Sequence, residues 1–258
     1  MKTENTPYFK YSFLASGLTD IGKRRQSNED QVILCRDTGF FAVSDGMGGL
    51  PQGGKTSEMI ASVLPDLVKH SSSELRKPAS PEYAAGLLEE GVQMVSNSIF
   101  EIGNKSGYFS FGAALCGVWL VAEYAIFVNL GDCRGYMLPY YKRRLRPVTK
   151  DHNLAAIMVE QGELTPEAAK GHPSSTRLTR FVGMPAPAAP DTFIEKLRPG
   201  DRILLCSDGL HGMVRDAMLQ RLMHSSKSPE RVCKNLIDTA NMSGGRDNIS
   251  AVYIQIAR

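Results

Sequence analysis

The sequence predicts one domain that mixes β-strands with α-helices. Short apolar runs such as residues 40–43, 113–121 and 203–206 are rich in β-branched and aromatic side chains, and Gly, Asp or Asn bounds them as they bound strands. Two longer stretches, 55–68 and 81–102, repeat apolar residues at helical spacing instead. At 258 residues the chain can bury one large core, and mixed domains of that size commonly stay single.

The opening strand is expected within 8–19, ending where Asp20-Ile21-Gly22 turns the chain. A dense polar cluster, Arg24 to Asp30, precedes an apolar run at 32–35. Arg36-Asp37-Thr38-Gly39 reads as a hairpin break before the strand 40–44. In such an antiparallel pair the ends meet, so Glu29, Asp30 and Asp45 converge. Glycines 46, 48 and 49 then form a turn into the first helix. That context fits a phosphate cradle and a plain tight turn equally, because Asp and Gly are ordinary turn formers.

Strands are expected at 113–121, 124–130 and 136–138, with Ala122-Glu123 as a two-residue hairpin connection. Short helical pieces follow at 154–161 and from Thr165, then an ordered surface flap over 171–190, rich in Pro, Ser and Gly. The last third holds a buried strand at 203–206, helices at 216–223 and 229–240, and an alternating strand at 249–254.

Composition excludes several classes. A hydrophobic fraction of 42% with 22% charged residues is that of a folded globular chain, and a net charge of +3 is too small to imply a polyanion partner. The densest basic run, Lys142 to Arg146, reads as a solvated turn. Five scattered cysteines without a CxxC pair argue against structural zinc and a disulfide framework. No signal peptide or membrane span is visible, so the expectation is a cytoplasmic protein.

Four Asp residues, Asp45, Asp132, Asp208 and Asp247, stand at glycine-marked ends of apolar strands. Hard cations such as Mg²⁺ and Mn²⁺ take oxygen ligands, so carboxylates with one backbone carbonyl suit them. Asp45 is placed to bridge two such ions, Asp208 and Asp247 to complete one shell, and the Gly46 carbonyl to serve the other. Two divalent ions activate a water and stabilise both oxygens of an in-line displacement, which is phosphoryl-transfer chemistry. It needs a cation for the phosphoryl oxygens, and Arg25 can supply a bidentate guanidinium. The alternative is that Arg24 and Arg25 are surface counter-ions for Glu29 and Asp30.

The ordered set Arg25-x-x-Asn28-Glu29-Asp30, Asp45-Gly46-Met47-Gly48-Gly49, Gly131-Asp132-Cys133-Arg134, Ser207-Asp208-Gly209-Leu210 and Gly245-x-Asp247-Asn248 closely resembles the metal-dependent serine/threonine protein phosphatases of type 2C, in their compact bacterial form. Each piece is short, but five in the right order are specific, and the match runs from about residue 16 to residue 256. The resemblance implies an α+β fold: a central β-sandwich of two antiparallel sheets, flanked on both sides by α-helices, in a catalytic domain over 1–258. It implies two Mn²⁺ or Mg²⁺ ions, with Asp45 bridging, Gly46 offering its carbonyl, and Asp208 and Asp247 on the first ion. Glu29 and Asp30 support the second ion through water, Asp132 helps Asp208 hold a weaker third, Arg25 binds phosphate, and 171–183 is the flap bordering the site.

It also implies phosphorylated protein substrates, a cognate Ser/Thr kinase to oppose, and a monomer with no nucleic-acid or membrane partner. Two other readings stand beside it: a catalytically silent binding module of the same fold, and a phosphatase for small metabolites. Met47 replaces the histidine that many eukaryotic members use as a proposed general acid, which leaves His172 on the flap as a candidate. Phe111-Gly112-Ala113-Ala114 departs from the family's glycine-threonine-threonine, and Cys133 stands where Ser is usual, raising an oxidation-sensitive thiol as a further idea.

Overall fold

In a computed structural model, residues 3–47, 53–75, 79–106, 112–185 and 187–257 are described; Gly48, Gly49 and Phe111 lie outside them. Strands β1 (Phe13–Asp20), β2 (Asp30–Cys35) and β3 (Phe40–Gly46) open the chain, followed by helices α1 (Gly53–Glu74) and α2 (Pro81–Ser106). Next come β4 (Ala113–Val121), β5 (Tyr124–Leu130), β6 (Arg134–Leu138) and β7 (Arg146–Pro147). Helices α3 (Leu154–Glu160) and α4 (Pro166–Ala169) lead through a 3₁₀ turn (Pro173–Thr176) to β8 (Asp191–Lys196) and β9 (Arg202–Cys206). Helices α5 (Asp208–His211), α6 (Asp216–Met223) and α7 (Pro229–Met242) precede the last strand, β10 (Ile249–Ile256).

The strands form two five-stranded antiparallel sheets, ordered β1-β10-β9-β6-β7 and β2-β3-β4-β5-β8. Side-chain alternation along each strand then generates four layers. In β3, Phe40 and Ala42 face the cluster that packs α1 and α2, including Ile60, Leu64, Leu88 and Val92. Phe41 and Val43 face inward, meeting Phe13, Val118, Phe127, Leu205 and Val252 between the sheets. On β10, Val252 and Ile254 join that inner layer, while Ala251 and Tyr253 turn out to Leu219, Met223, Val232 and Leu236 of α6 and α7. The expected α-β-β-α sandwich is therefore present.

Some boundaries differ from expectation. The first strand starts at Phe13; residues 8–10 instead lie along the β4–β5 turn, where Lys10 N–H donates to the Ala122 carbonyl. Two edge strands, β7 and β8, were not expected, nor was the short α5. The basic run at 142–144 is a solvent-exposed turn, and Arg146 pairs with Glu195 at 2.6 Å. All five cysteines are free, and all but Cys35 are buried.

Candidate phosphatase site

The inward-facing parity of β3 runs Phe41, Val43, Asp45, and on β2 it runs Leu34, Val32, Asp30. The register sets Asp30 directly opposite Asp45. At this end of the sandwich the hydrophobic layer between the sheets thus gives way to carboxylates. Asp208 arrives from the end of β9 and Asp132 from the turn after β5, so four Asp residues from both sheets share one end. Glu29 stands beside them, its carbonyl accepting from the Gly46 N–H at 3.1 Å and from the Ser57 hydroxyl.

Burial is the first cause of the electrostatics here, and mutual repulsion the second. Asp45 and Asp132 are held well above the usual carboxylate range, Asp45 by burial together with Asp30 and Asp208, Asp132 by burial together with Asp208 and Asp151. Burial and Asp247 push Asp208 up to about 6 against an opposing hydrogen bond with Asp45. Asp30 also rises to about 6, chiefly by burial, although Ser207 Oγ donates to its Oδ2 at 2.7 Å. The side chains of Asp45, Asp132 and Asp208 retain some accessible surface, yet protein and neighbouring acids surround them, and that crowding governs their protonation. Burial raises Glu29 too, partly opposed by Arg25. Arg25, half exposed, donates to Asp247 Oδ2 at 2.8 Å.

The donor set suits a hard cation. It is all oxygen, it gathers acids that repel one another, and Asp30 Oδ1 is buried without a hydrogen-bond partner. As the side chains stand, no group of three or more His, Cys, Asp or Glu among the described residues is arranged to hold an ion. In this arrangement Asp45 and Asp208 bond each other, and Arg25 occupies Asp247.

Close backbone approach holds these loops. A Cβ on Gly209 would lie 1.9 Å from the Asn248 carbonyl, so only glycine lets the Asp208 and Asp247 segments touch. Gly22, at φ +77°, meets the Asp247 carbonyl just as closely. Asn248 is almost wholly buried and spends both side-chain polar atoms on the Arg25 loop. Its Nδ2 donates to the carbonyls of Ile21 (3.0 Å) and Ser27 (2.9 Å), and its Oδ1 accepts from Glu29 N–H (2.9 Å).

Other contributors were invisible as contacts in the sequence. His152 grips the Asp132 turn: its N–H donates to the Gly131 carbonyl and its Nδ1 accepts from Gly131 N–H. Its Nε2 bonds Asp191, which Arg180 of the flap chelates at 2.8 and 3.1 Å. His211 Nε2 bonds the Asp132 carbonyl at 3.0 Å, and Arg134 forms a bidentate pair with Asp151 at 2.8 and 2.7 Å.

The flap does run beside the site, since Val182 bridges to Ala113, the partner of Gly46. His172 caps the 3₁₀ turn, its Nδ1 accepting from Ser174 N–H, and no hydrogen bond or ion pair ties it to the acids among the described residues. Met47 lies over Gly112 beside Phe181, a packing position. Cys133 is wholly buried; burial, then Asp45, pushes its thiol well up, so it lacks the thiolate an oxidation switch needs.

The family model described as Protein phosphatase 2C matches residues 22–243. The serine/threonine phosphatase stp of Listeria monocytogenes serotype 4b is 31% identical over 241 residues, covering 92% of this chain and 93% of that protein. A solved S. agalactiae serine/threonine phosphatase superposes with TM-score 0.84 at 28% identity, over 95% of this chain and 99% of the other. The catalytic domain of the serine threonine protein phosphatase PstP, solved in complex with two manganese ions, gives TM-score 0.77 at 25% identity, over 95% and 99%.

Proposed function

The chain belongs to the protein phosphatase 2C family and is a metal-dependent serine/threonine protein phosphatase, and from that premise we propose that its catalytic centre is the acidic end of the sandwich. The observation that carries this is the convergence of Asp30, Asp45, Asp132 and Asp208 from both sheets where the apolar inter-sheet layer stops. In this reading two Mn²⁺ or Mg²⁺ ions would be held with Asp45 in common, one with Asp208 and Asp247 and the other with the Gly46 carbonyl. Glu29 and Asp30 would support that other ion, and Asp132 with Asp208 would hold a weaker third. When bound, such ions polarise a water for attack and neutralise charge on the phosphoryl group.

The chain's own residues do the rest. Arg25 exchanges Asp247 for the phosphoryl oxygens, which its planar fork suits. Asn248 holds the Arg25 loop in register, and Asp30, fixed by Ser207, orients donors without touching substrate. Met47 has no proton to give, so the proton for the leaving serine or threonine oxygen has to come from another group or from water.

The same reading treats residues 1–258 as one catalytic domain, acting as a monomer in the cytoplasm on proteins phosphorylated by a cognate Ser/Thr kinase. No helix among the described residues is long and apolar enough to cross a membrane. The test is hydrolysis of a phosphothreonine peptide with and without Mn²⁺, in wild type and in Asp208→Asn. Full activity in excess chelator would sink the metal assignment.

A further inference from the structure

Beside Arg25 lies a set of cations that the reaction does not use. Lys23 and Arg24 precede it on the same loop, and Arg246 precedes Asp247 on the loop that meets it. The two loops are locked together: Lys23 N–H donates to the Gly245 carbonyl at 2.7 Å, and the Lys23 side chain lies over Gly245, within 3.1 Å of where its Cβ would be. Asn248 fixes the same loop from below, so these charges sit on a stiff edge rather than a floppy one.

Lys23, Arg24 and Arg246 are all solvent-exposed, and among the described residues none forms an ion pair. Some surface bases elsewhere are neutralised, as Lys10 and Lys196 are by Glu123 and Arg146 by Glu195, while others, such as the exposed Lys142, Arg143 and Arg144, form no ion pair among the described residues either; what sets this group apart is its place beside Arg25. Of the acids on these loops, Asp247 is taken by Arg25, and Asp20 is turned to the Gly22 N–H and the Asn241 amide. The carboxylate-lined mouth should repel an anionic chain, yet its Arg25 edge carries three unpaired cations.

We propose that Lys23, Arg24 and Arg246 form a specificity rim that selects phosphopeptides bearing anionic side chains next to the phosphoserine or phosphothreonine. This rests on the phosphatase reading and adds the class of sequence it prefers. Cations flanking the phosphate clamp meet residues flanking the phosphate, and their field raises the local concentration of acidic segments before Arg25 engages. A nucleic acid is the poorer occupant, because neither loop, 20–29 or 243–248, carries an aromatic side chain on which a base could stack.

The experiment compares kcat/KM of the Mn²⁺-loaded enzyme on phosphothreonine peptides of equal length whose flanks are Asp/Glu, Asn/Gln, Lys, or a second phosphoresidue. Exposed pairs are individually weak, so three together should give the Asp/Glu flanks an advantage on the order of 10-fold over Asn/Gln, expressed in KM. The advantage should shrink at high salt. The doubly phosphorylated arm tells whether a second phosphate serves as well as carboxylates. In Lys23→Gln/Arg24→Gln/Arg246→Gln the preference should vanish, and in the corresponding Glu variant it should turn toward Lys flanks. Hydrolysis of an aryl phosphate, which has no flanks, should be unchanged in both.

Wild-type hydrolysis without flank preference, or a preference that survives charge reversal, overturns the rim alone. So does duplex DNA or RNA binding lost in the Gln variant while peptide rates stay equal. No hydrolysis of any substrate by the wild type overturns the phosphatase reading, and the rim with it.

Discussion

The two ends of the sandwich are built from the same strands and do opposite things with them. At one end β3 delivers Asp45 into a crowd of acids. At the other, the β4–β5 turn, residues 7–10 and the start of α2 enclose a cleft of about 540 Å³ lined by Tyr8, Phe9, Leu75, Pro81 and Tyr124. The cleft is roomy and mostly apolar, and its charges, Lys10 and Glu123, already satisfy each other at 2.7 Å. The acidic end instead gathers carboxylates that repel one another, with Asp30 Oδ1 buried and unpartnered. That apolar cleft and the acid cluster are therefore separated by the length of a strand, and it is local electrostatic cost that marks the candidate site.

The largest effect should come from removing one of those costs. Asp208→Asn should cut Mn²⁺-dependent hydrolysis by more than about 100-fold, beyond the range usual for outer partners of a metal site. The same substitution should raise the Tm of the metal-free protein by a few degrees at pH 7.5, because it deletes a carboxylate crowded by Asp45 and Asp247. Calorimetry of both proteins in chelator decides it. A lower Tm in the variant would mean that the cluster is not under repulsive load.

Next is the residue that ties the acidic end together. Asn248→Ala removes three hydrogen bonds to the Arg25 loop, for a loss of about 2–4 kcal/mol of stability. Activity should fall about 10–100-fold, as for a residue that orients ligands without binding them. Aspartate at this position keeps the acceptor for Glu29 N–H but sets a buried anionic oxygen against the Ile21 and Ser27 carbonyls beside other acids, so denaturant titration should find Asn248→Asp at least as destabilised as Asn248→Ala.

A smaller effect separates the ends by pH. Asp30 and Asp208 titrate near 6 in the folded protein against 3.8 for an ordinary aspartate, so between those values the folded state holds more protons than the unfolded one. Their contribution to metal-free stability therefore falls as pH rises through that window. His211, buried and lowered to about 4, has the opposite slope, but it is common to the loaded and unloaded protein. Ion binding requires the carboxylates deprotonated, so the rise in Tm on adding Mn²⁺ should be larger at pH 7.5 than at pH 5.0. An equal rise at both values would remove these acids from the metal site.

The contrast between ends was half legible in the sequence. Strands such as 40–43 and 203–206 announce themselves by apolar runs stopped at Asp-Gly, and an antiparallel register of β2 on β3 follows from a short turn, so Asp30 opposite Asp45 could be anticipated. β8 escaped because Asp191–Lys196 is a charged, half-exposed edge strand with no apolar period. Asn248, His152 and His211 escaped because their partners lie 21 to 227 residues away and nothing local marks an amide or imidazole that will be saturated by distant backbone. Met47 and Cys133 could be seen but not judged, since their inertness depends on what surrounds them.

The smallest expected effect lies at the apolar end, and it is the sharpest control for the rest. Glu123 sits on the turn whose Ala122 has φ 53°, and its carboxylate is held down to about 2 by hydrogen bonds from Lys10 and Lys196. The group is exposed, so the strong pairing is screened and contributes little to the fold. Glu123→Gln should leave kcat and KM on a phosphothreonine peptide within about two-fold, because Glu123 lies at the far end of β4 from Ala113 and Gly46. Should this variant instead lose activity as Asn248→Ala does, the two ends are coupled through β4 and β5, and the separation of cleft from chemistry fails.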